Sequence, residues 1–182
     1  MVGKPVACAV SLIACGTAQG IEAITAARGR PVADDELEPV THGALRVGRA
    51  TGATDYLRAI AAIHRLGRRM AEFHQHHDIL LTPTLAEPPA LLGRFAMRNP
   101  DFIAYRLGPE GLWRYTPFTP LANATGAPSI SLPAGRTPSG LPVGAMLTAP
   151  FGADALLLRL AAQWEVDAMA RGETPVPVAP WS

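Results

Sequence analysis

Apolar residues recur every three or four positions between Thr54 and Phe73, which is the spacing of one face of an α-helix. Arginines flank or oppose this stripe, as expected for a helix with one buried and one solvated face. Thr54 is predicted to cap the helix, and Asp55 follows in the first turn, where the helix dipole favours negative charge. The stripe consists of Tyr56, Ile60, Ile63, Leu66, Met70 and Phe73, and the arginines are Arg58, Arg65, Arg68 and Arg69.

Two further helices are predicted. The first covers residues 7–28, an alanine-rich segment that ends in a basic residue followed by Gly29. The second covers residues 154–171 and carries the apolar residues Leu157, Leu160, Ala161 and Trp164. Residues 31–41, PVADDELEPVT, are acidic and contain two prolines, which predicts a polar connector on the surface.

Three short segments have the composition of β-strands. Residues 79–81 form a continuous apolar run before Pro83, which predicts a strand buried on both faces. Residues 129–133 and 142–149 predict two more strands, joined by a turn rich in glycine and proline. Strands and helices together predict an α/β fold, and the length is that of a single domain covering residues 1–182.

Residues 85–115 form a long segment without a regular pattern. Irregular segments of more than about 15 residues are usually functional loops, lids or disordered regions. Aromatic side chains spread through this one favour a packed lid or wall over disorder. They are Phe95, Phe102, Tyr105 and Trp113.

The composition indicates a covered apolar surface and a small partner. Charged residues make up 17% of the chain and apolar residues 48%, against a typical charged fraction of about 25%. So little charge predicts a homo-oligomer or a second chain that covers part of the surface. The 15 acidic and 16 basic residues nearly balance, and the basic ones form no run, which argues against nucleic-acid or membrane partners.

The N-terminal segment allows a second interpretation. Residues 6–15 are apolar and end in LIAC, which looks like a lipoprotein processing motif before Cys15. Pro5, the single preceding basic residue Lys4 and the helical continuation after Cys15 argue against export, and the run is shorter than the about 20 residues of a membrane span. We expect a cytoplasmic protein, with an exported lipoprotein as the alternative, and Cys8 and Cys15 as small apolar helix residues.

The candidate nucleophiles and bases form no known catalytic pattern. None of the five serines lies in a G-x-S-x-G elbow. Fifteen of the sixteen basic residues are arginine, which cannot act as a general base, and the one lysine is Lys4. We therefore predict no catalytic residue in this chain. The serines are Ser11, Ser129, Ser131, Ser139 and Ser182.

The segment HQHHD, residues 74–78, contains three imidazoles and a carboxylate. Two ligands on a helix normally lie four residues apart, and the spacings here are two, one and three. His74 and His77 could still share a face of a last helical turn. We predict a solvated helix end and no metal site.

Five segments, in order along the chain, resemble the C-terminal portion of amidase signature family enzymes, which hydrolyse carboxamides. The most specific combination is T-x-x-x-N-x-T-G-x-P-x-x-S-x-P followed by G-L-P-V-G. DDELEPVT and DILLTPTLAEPPALLG are most similar to the subgroup named for 6-aminohexanoate cyclic dimer hydrolase. The segments are residues 29–41, 55–93, 116–135 and 140–165, and APWS at the close.

The resemblance implies part of a mixed β-sheet flanked by helices, with the N-terminal half missing and without a cofactor. In the family, a serine nucleophile, a second serine and a lysine base lie in that half. Neither the catalytic lysine segment nor a G-G-S-S-G-type loop occurs here. The chain is expected to form one wall of the substrate cleft, to be inactive alone, and to pair with an N-terminal amidase half or a second copy. A non-catalytic binding or regulatory module on the same scaffold is the alternative.

The resemblance also places residues 116–135 beside the substrate. Thr116, Phe118 and Thr119 are expected near the acyl group, and Asn123 with Gly126 is expected to hold the backbone turn. Family members that act on glutamine amides have an aspartate at the position of Thr116, where it can bind an ammonium group. Its absence favours a small neutral or hydrophobic amide.

Overall fold

The protein is described by a computed structural model covering residues 3–170, and it confirms the predicted α/β class. The predicted end of the last helix at Arg171 and the proline-rich tail lie outside the described residues. The elements are α1 (Gly3–Arg28), a 3₁₀ turn (Asp34–Glu36), α2 (Pro39–Ala50), α3 (Ala53–Phe73), β1 (Leu80–Pro83), α4 (Phe102–Leu107), α5 (Leu112–Tyr115), α6 (Thr119–Thr125), β2 (Ser129–Arg136), β3 (Pro142–Thr148) and α7 (Asp154–Ala170).

Helices α1 and α2 cross in close contact because small residues face each other. A Cβ atom on Gly48 of α2 would lie only 2.2 Å from the carbonyl oxygen of Ala14 in α1. The thiol of Cys15 contacts the carbonyl of Gly48 at 3.9 Å, and both cysteines are free, which agrees with their predicted role as small helix residues. The buried cluster at this crossing is Val10, Ala14, Val40, Ala44 and Phe102.

Helix α2 was not predicted, because the first three of its residues lie in the connector that was read as polar. Pro39 occupies its first turn, where a missing N–H costs nothing. Its buried residues Gly43 and Ala44 follow Val40 by three and four positions, so the helical period was present in the sequence.

Helix α3 begins one residue before the predicted cap. Gly52 is the N-cap, and its carbonyl accepts the N–H groups of Asp55 and Tyr56. The predicted stripe is only partly covered: the fully buried residues are Ala59 and Ala62, whereas Tyr56 is 41% exposed. The expectation of a well-buried large-residue face was therefore too strong for this chain.

The three strands form an antiparallel sheet in the order β1-β3-β2. Leu147 of the central strand pairs with Leu81 on one side and Ile130 on the other. The prediction that the first strand is buried on both faces was wrong, because β1 lies at the edge of this sheet and Leu81 is 61% exposed. Pro83 is the last residue of β1, a position that an edge strand tolerates.

Helix α7 packs across the sheet with the residues that its sequence predicts. Leu157 and Ala161 are buried, Leu160 packs against them, and the indole N–H of Trp164 donates to the carbonyl of Pro133 at 2.7 Å. This second core is separate from the one between α1 and α2. Its fully buried members are Leu132, Leu147, Ala149, Leu157 and Ala161.

Residues 85–115 contain two short helices, α4 and α5, which the sequence pattern did not indicate. The expectation of a packed wall is confirmed for three of the aromatics. Phe102 is buried in the α1–α2 core, and Tyr105 and Trp113 pack against it. The segment thus connects β1 to the helical core.

Within the described residues, one helical segment, Cys8–Arg28 of α1, has the length and mean hydropathy (1.3) that a membrane span needs. Length and composition are the only basis for that interpretation. In the folded chain this helix places Val10, Ala14, Ala18 and Ile21 in the interior. Core helices of globular proteins have the same character.

Candidate functional site

A pocket of about 430 Å³ opens between the helices, and residues of segment 116–135 form part of its wall. Thr116, Thr119 and Asn123 all line it, so the structure brings together three of the four predicted site residues. Phe118 is half-buried at the N-cap of α6 and is not among the lining residues. The remaining wall consists of Ala9, Leu12, Ile13, Ile63, Arg106, Leu112, Trp113, Pro120 and Ala124.

Helix α6 holds these side chains in place. It begins at Thr119 with a proline in its first turn and ends after Thr125 at Gly126. Gly126 adopts the left-handed conformation, with φ of 71°, and its N–H donates to the carbonyl of Ala122 at 2.8 Å. A residue with a side chain would be strained there, so Gly126 fixes the turn from the pocket into β2.

The two threonine hydroxyls in the pocket donate to the backbone. Thr116 donates to the carbonyl of Leu112 at 3.1 Å, and Thr119 donates to the carbonyl of Thr116 at 3.4 Å. Each oxygen keeps lone pairs that can accept a hydrogen bond from a ligand. The geometry therefore suits binding of an N–H group, and within the described part of the chain neither hydroxyl contacts a base that could activate it as a nucleophile.

Asn123 is exposed, and its side chain makes no hydrogen bond to the residues that the structure describes. The turn at the end of α6 is held by Gly126 and by the hydroxyl of Thr125, which donates to Leu121 at 2.9 Å. The amide of Asn123 thus remains available to the pocket.

The serines of the sheet pair with other hydroxyls. Ser129 lies 2.8 Å from Thr148, and Ser131 lies 2.6 Å from Thr84. Ser139 pairs with Thr137 in the turn between β2 and β3 at 2.9 Å. A hydroxyl cannot remove the proton of another at neutral pH, so these pairs are structural. Ser182 lies outside the described residues.

The histidines after α3 are used locally. His74 caps the helix, and its Nδ1 lies 2.9 Å from the carbonyl of His77, a geometry that requires the ring nitrogen to donate. The ring of Phe73 lies against both histidines. Among the described residues, no group of three histidine, cysteine, aspartate or glutamate side chains is placed to hold a metal ion.

The sequence profile of the family described as Amidase matches residues 6–158, which is most of the chain and includes every pocket residue. The chain belongs to the Amidase family.

Amidases of known sequence are similar to it over a limited length. The protein AmiC of Mycobacterium leprae, which is named as an amidase, is 42% identical to this chain over 108 residues. The match covers 59% of this chain and 22% of that protein. A Pseudomonas putida amidase is 37% identical over 97 residues, 53% of this chain and 20% of that protein. The chain therefore spans about a fifth of the length of the curated relatives it matches.

Solved amidase structures share the fold. A 6-aminohexanoate cyclic dimer hydrolase superposes with a TM-score of 0.78 at 23% identity, covering 90% of this chain and 35% of that one. A bacterial aryl acylamidase of the amidase signature family gives 0.73 at 18% identity, covering 97% and 37%. The helices and sheet described above are thus one part of a larger amidase fold.

The motif that identified the site did not reveal all of its residues. Arg106, from α4, and Trp113, from α5, line the pocket beside Thr116, yet both come from the segment without a regular pattern. Leu12 and Ile13 of α1 reach it from the other end of the sequence. No local sequence signal marks Arg106, and Trp113 stood out only as one of the aromatic residues of segment 85–115.

Contacts of Arg94 and Tyr115 hold residues 86–95 against α5, next to the pocket. The guanidinium of Arg94 forms a salt bridge with Glu87 at 2.9 Å. It also lies over the rings of Phe95 and Tyr115, at 5.0 and 5.7 Å from their centres. The hydroxyl of Tyr115 accepts the N–H of Ala90 at 3.1 Å, and its carbonyl accepts the N–H of Ala86 at 3.0 Å. These contacts tie residues 86–95 to α5, whose next residue is the pocket residue Thr116.

The stabilisation from Glu87 is expected to disappear at acidic pH. The hydrogen bond from Arg94 lowers the pKa of Glu87 below its ordinary value of 4.5. The unfolded chain therefore binds this proton more readily, so the pair stabilises the fold above pH 4.5 and loses that effect as pH falls through the lowered pKa. The difference in urea midpoint between the wild type and Glu87→Gln should be largest at neutral pH and shrink in acid.

Glu72→Gln is the matched control for this measurement, because Glu72 is an exposed glutamate outside the described ion pairs. Its urea midpoint should stay close to that of the wild type at every pH. A difference for Glu87→Gln that persisted or grew in acid would contradict the assigned ion pair.

Proposed function

We propose that this chain forms one wall of the substrate cleft of an amidase and that the nucleophile and base come from a part of the enzyme outside these 182 residues. The observation that carries the proposal is the shared pocket of Thr116, Thr119 and Asn123 in a chain that matches the family over residues 6–158. The hydroxyl-paired serines of the sheet and of the β2–β3 turn agree with it, since none of them contacts a base among residues 3–170.

The substrate is a small amide that is neutral or hydrophobic where it passes Thr116. Apolar side chains form much of the wall, and its lining residues include no carboxylate that would bind an ammonium group. The subgroup named for 6-aminohexanoate cyclic dimer hydrolase remains the preferred one, because its sequence motifs are the most similar.

The partner is the remainder of an amidase, supplied by a second chain or by a longer form of this protein. Apolar side chains that a larger fold would cover are exposed on the sheet edge and on α7, at Leu81, Leu158, Val166 and Met169. Without that cover the chain is expected to self-associate. A cytoplasmic location suits an enzyme part whose most apolar helix is used in its own core.

Complementation tests this proposal. The 182-residue chain is assayed on hexanamide alone and after coexpression with the segment of the Mycobacterium leprae relative that precedes the matched region. We expect no hydrolysis by the chain alone and hydrolysis by the complex, with a raised KM in Thr119→Val and an unchanged one in Thr137→Val, a hydroxyl deletion in the β2–β3 turn.

Three results would contradict the assignment. Hydrolysis by the chain alone that disappears on replacing one of its serines would place the nucleophile here. A stable complex that binds amides but never hydrolyses them would favour the binding-module alternative. An N-terminal lipid on Cys15, found by mass spectrometry of membrane fractions, would favour the exported lipoprotein.

A further inference from the structure

Arg106 is the one charged side chain among the residues that line the 430 Å³ pocket. It lies near the end of α4, next in the chain to Leu107, and its guanidinium carbon is 5.3 Å from the centre of the Phe102 ring. Phe102 is itself buried in the α1–α2 core, so the ring that lies against the guanidinium is fixed in place. The charge is thus held at the pocket wall by packing.

The Nε–H group of Arg106 is buried and has no hydrogen-bond acceptor among residues 3–170. Buried donors are nearly always paired, and an arginine cannot lose its charge to avoid the cost. Burial lowers the pKa of Arg106, because partly desolvated surroundings disfavour the cation. The terminal nitrogens of the guanidinium are not enclosed in this way, and an anionic ligand beside them would offset the cost of the partly buried charge.

The acids of the surrounding segment, residues 87–110, are occupied elsewhere. Asp101 accepts the N–H of Ala104 at the start of α4, at 2.9 Å. Glu87 and Glu110 both face Arg94, at 2.9 and 3.7 Å. Thr116, which lines the same pocket, directs its hydroxyl proton to the carbonyl of Leu112. The positive charge of Arg106 is therefore unbalanced within the described residues.

We propose that this pocket binds a ligand carboxylate, with Arg106 as the residue that selects it, so that the substrate carries a carboxylate at one end and its neutral amide elsewhere. This assignment rests on the proposed amidase function for the identity of the ligand as a substrate. A guanidinium and a carboxylate match in charge and in hydrogen-bond geometry. The apolar wall from Leu12, Ile13 and Ile63 suits the hydrocarbon part between the two groups.

The chemistry of the pocket favours a carboxylate over a phosphate. Only one cationic group lines it, and most of the remaining lining is apolar. A phosphate would need additional donors to balance a second charge and a third oxygen. The threonine side chains supply lone pairs to the pocket, because their protons are used by backbone carbonyls.

Binding of three probes of equal chain length tests the proposal without any hydrolysis. Hexanoate, hexanamide and hexylamine are titrated into the ¹⁵N-labelled 182-residue chain, and the indole N–H of Trp113 and the amide of Asn123 report on the pocket. We expect hexanoate to bind about tenfold or more tightly than hexanamide, since a hydrogen bond to a charged group is worth that much, and hexylamine to bind weakest.

Variants separate the role of Arg106 from general electrostatics. Arg106→Gln should weaken hexanoate about tenfold and leave hexanamide unchanged, and Arg106→Lys should retain part of the preference. Arg65→Gln, which removes an exposed charge on α3 outside the pocket, should change neither. Unchanged circular dichroism melting establishes that each variant is folded.

Equal binding of hexanoate and hexanamide by the wild type would overturn the proposal, and this comparison needs no variant. So would a hexanoate affinity that Arg106→Gln leaves unaltered. The chain could prefer hexanoate and yet give no hydrolysis in the complementation assay. That result would support the pocket assignment and contradict the amidase role. A complex that hydrolyses hexanamide but binds hexanoate no more tightly than hexanamide would remove the pocket assignment and leave the amidase role standing.

Discussion

Replacing Gly48 by alanine is expected to destabilise the helical half of the protein by about 1–3 kcal/mol or more. The added Cβ would lie 2.2 Å from the carbonyl oxygen of Ala14, 2.7 Å from its carbon and 2.9 Å from the Cβ of Ala18. Two of these are backbone atoms, so no side-chain rotation relieves the clash. Helices α1 and α2 must separate, which opens the core around Val10 and Ala14.

A loss of stability in Gly48→Ala would be evidence for the close helix crossing, because alanine is intrinsically a better helix former than glycine by about 1 kcal/mol. Gly20→Ala in α1 is the matched control: its Cβ would meet nothing within 4 Å. It should stabilise the chain by about 0.5–1 kcal/mol. Urea denaturation followed by circular dichroism measures both. Stabilisation by Gly48→Ala would show that the two helices do not cross at this glycine.

The elements that the sequence predicted well are those with strong local patterns. The end of α1 at Arg28 and Gly29, the hairpin of β2 and β3, and the apolar face of α7 all follow from periodicity and turn residues close together in the chain. In each case local preference and tertiary packing agree, which is the condition under which sequence reasoning works.

The errors arose where tertiary packing decides. The interior of α2 is formed by Val40, Gly43 and Ala44, small residues that bury little area and therefore give a weak pattern. The composition of the strand around Leu81 indicated burial on both faces, but within the described residues β1 has a neighbouring strand on one side only. A strand whose composition suits the centre of a sheet, found at an edge, is what a portion of a larger fold would show.

The candidate site was predictable only in the part that one motif encodes. Thr116, Thr119 and Asn123 lie within eight residues of one another, whereas Arg106 and Ile13 reach the pocket from separate helices. Nothing in the local sequence of Arg106 distinguishes it from the solvent-facing arginines of α3. Its distinguishing property, a buried Nε–H without an acceptor among the described residues, exists only once α4 has packed on the core.

Leu157→Ala is expected to cost about 2–5 kcal/mol, because Leu157 is 3% exposed and joins α7 to the sheet. The neighbouring Leu158 is 66% exposed, so Leu158→Ala should change the free energy of unfolding of the isolated chain by less than about 0.5 kcal/mol. Urea denaturation measures both. Similar losses for the two variants would mean that α7 packs on the sheet through a different face.

Combining Leu157→Ala with Gly48→Ala tests whether the two cores unfold as one domain, as the length of the chain predicts. Trp113 packs on the helical core and Trp164 on the sheet core, so their indole N–H signals report on each separately. In a single cooperative unit, each substitution lowers the midpoint seen by both indoles, and the distant changes add within about 0.5 kcal/mol. If each substitution moved only its own indole, the cores would unfold independently, and the remainder of the amidase would then be what couples them.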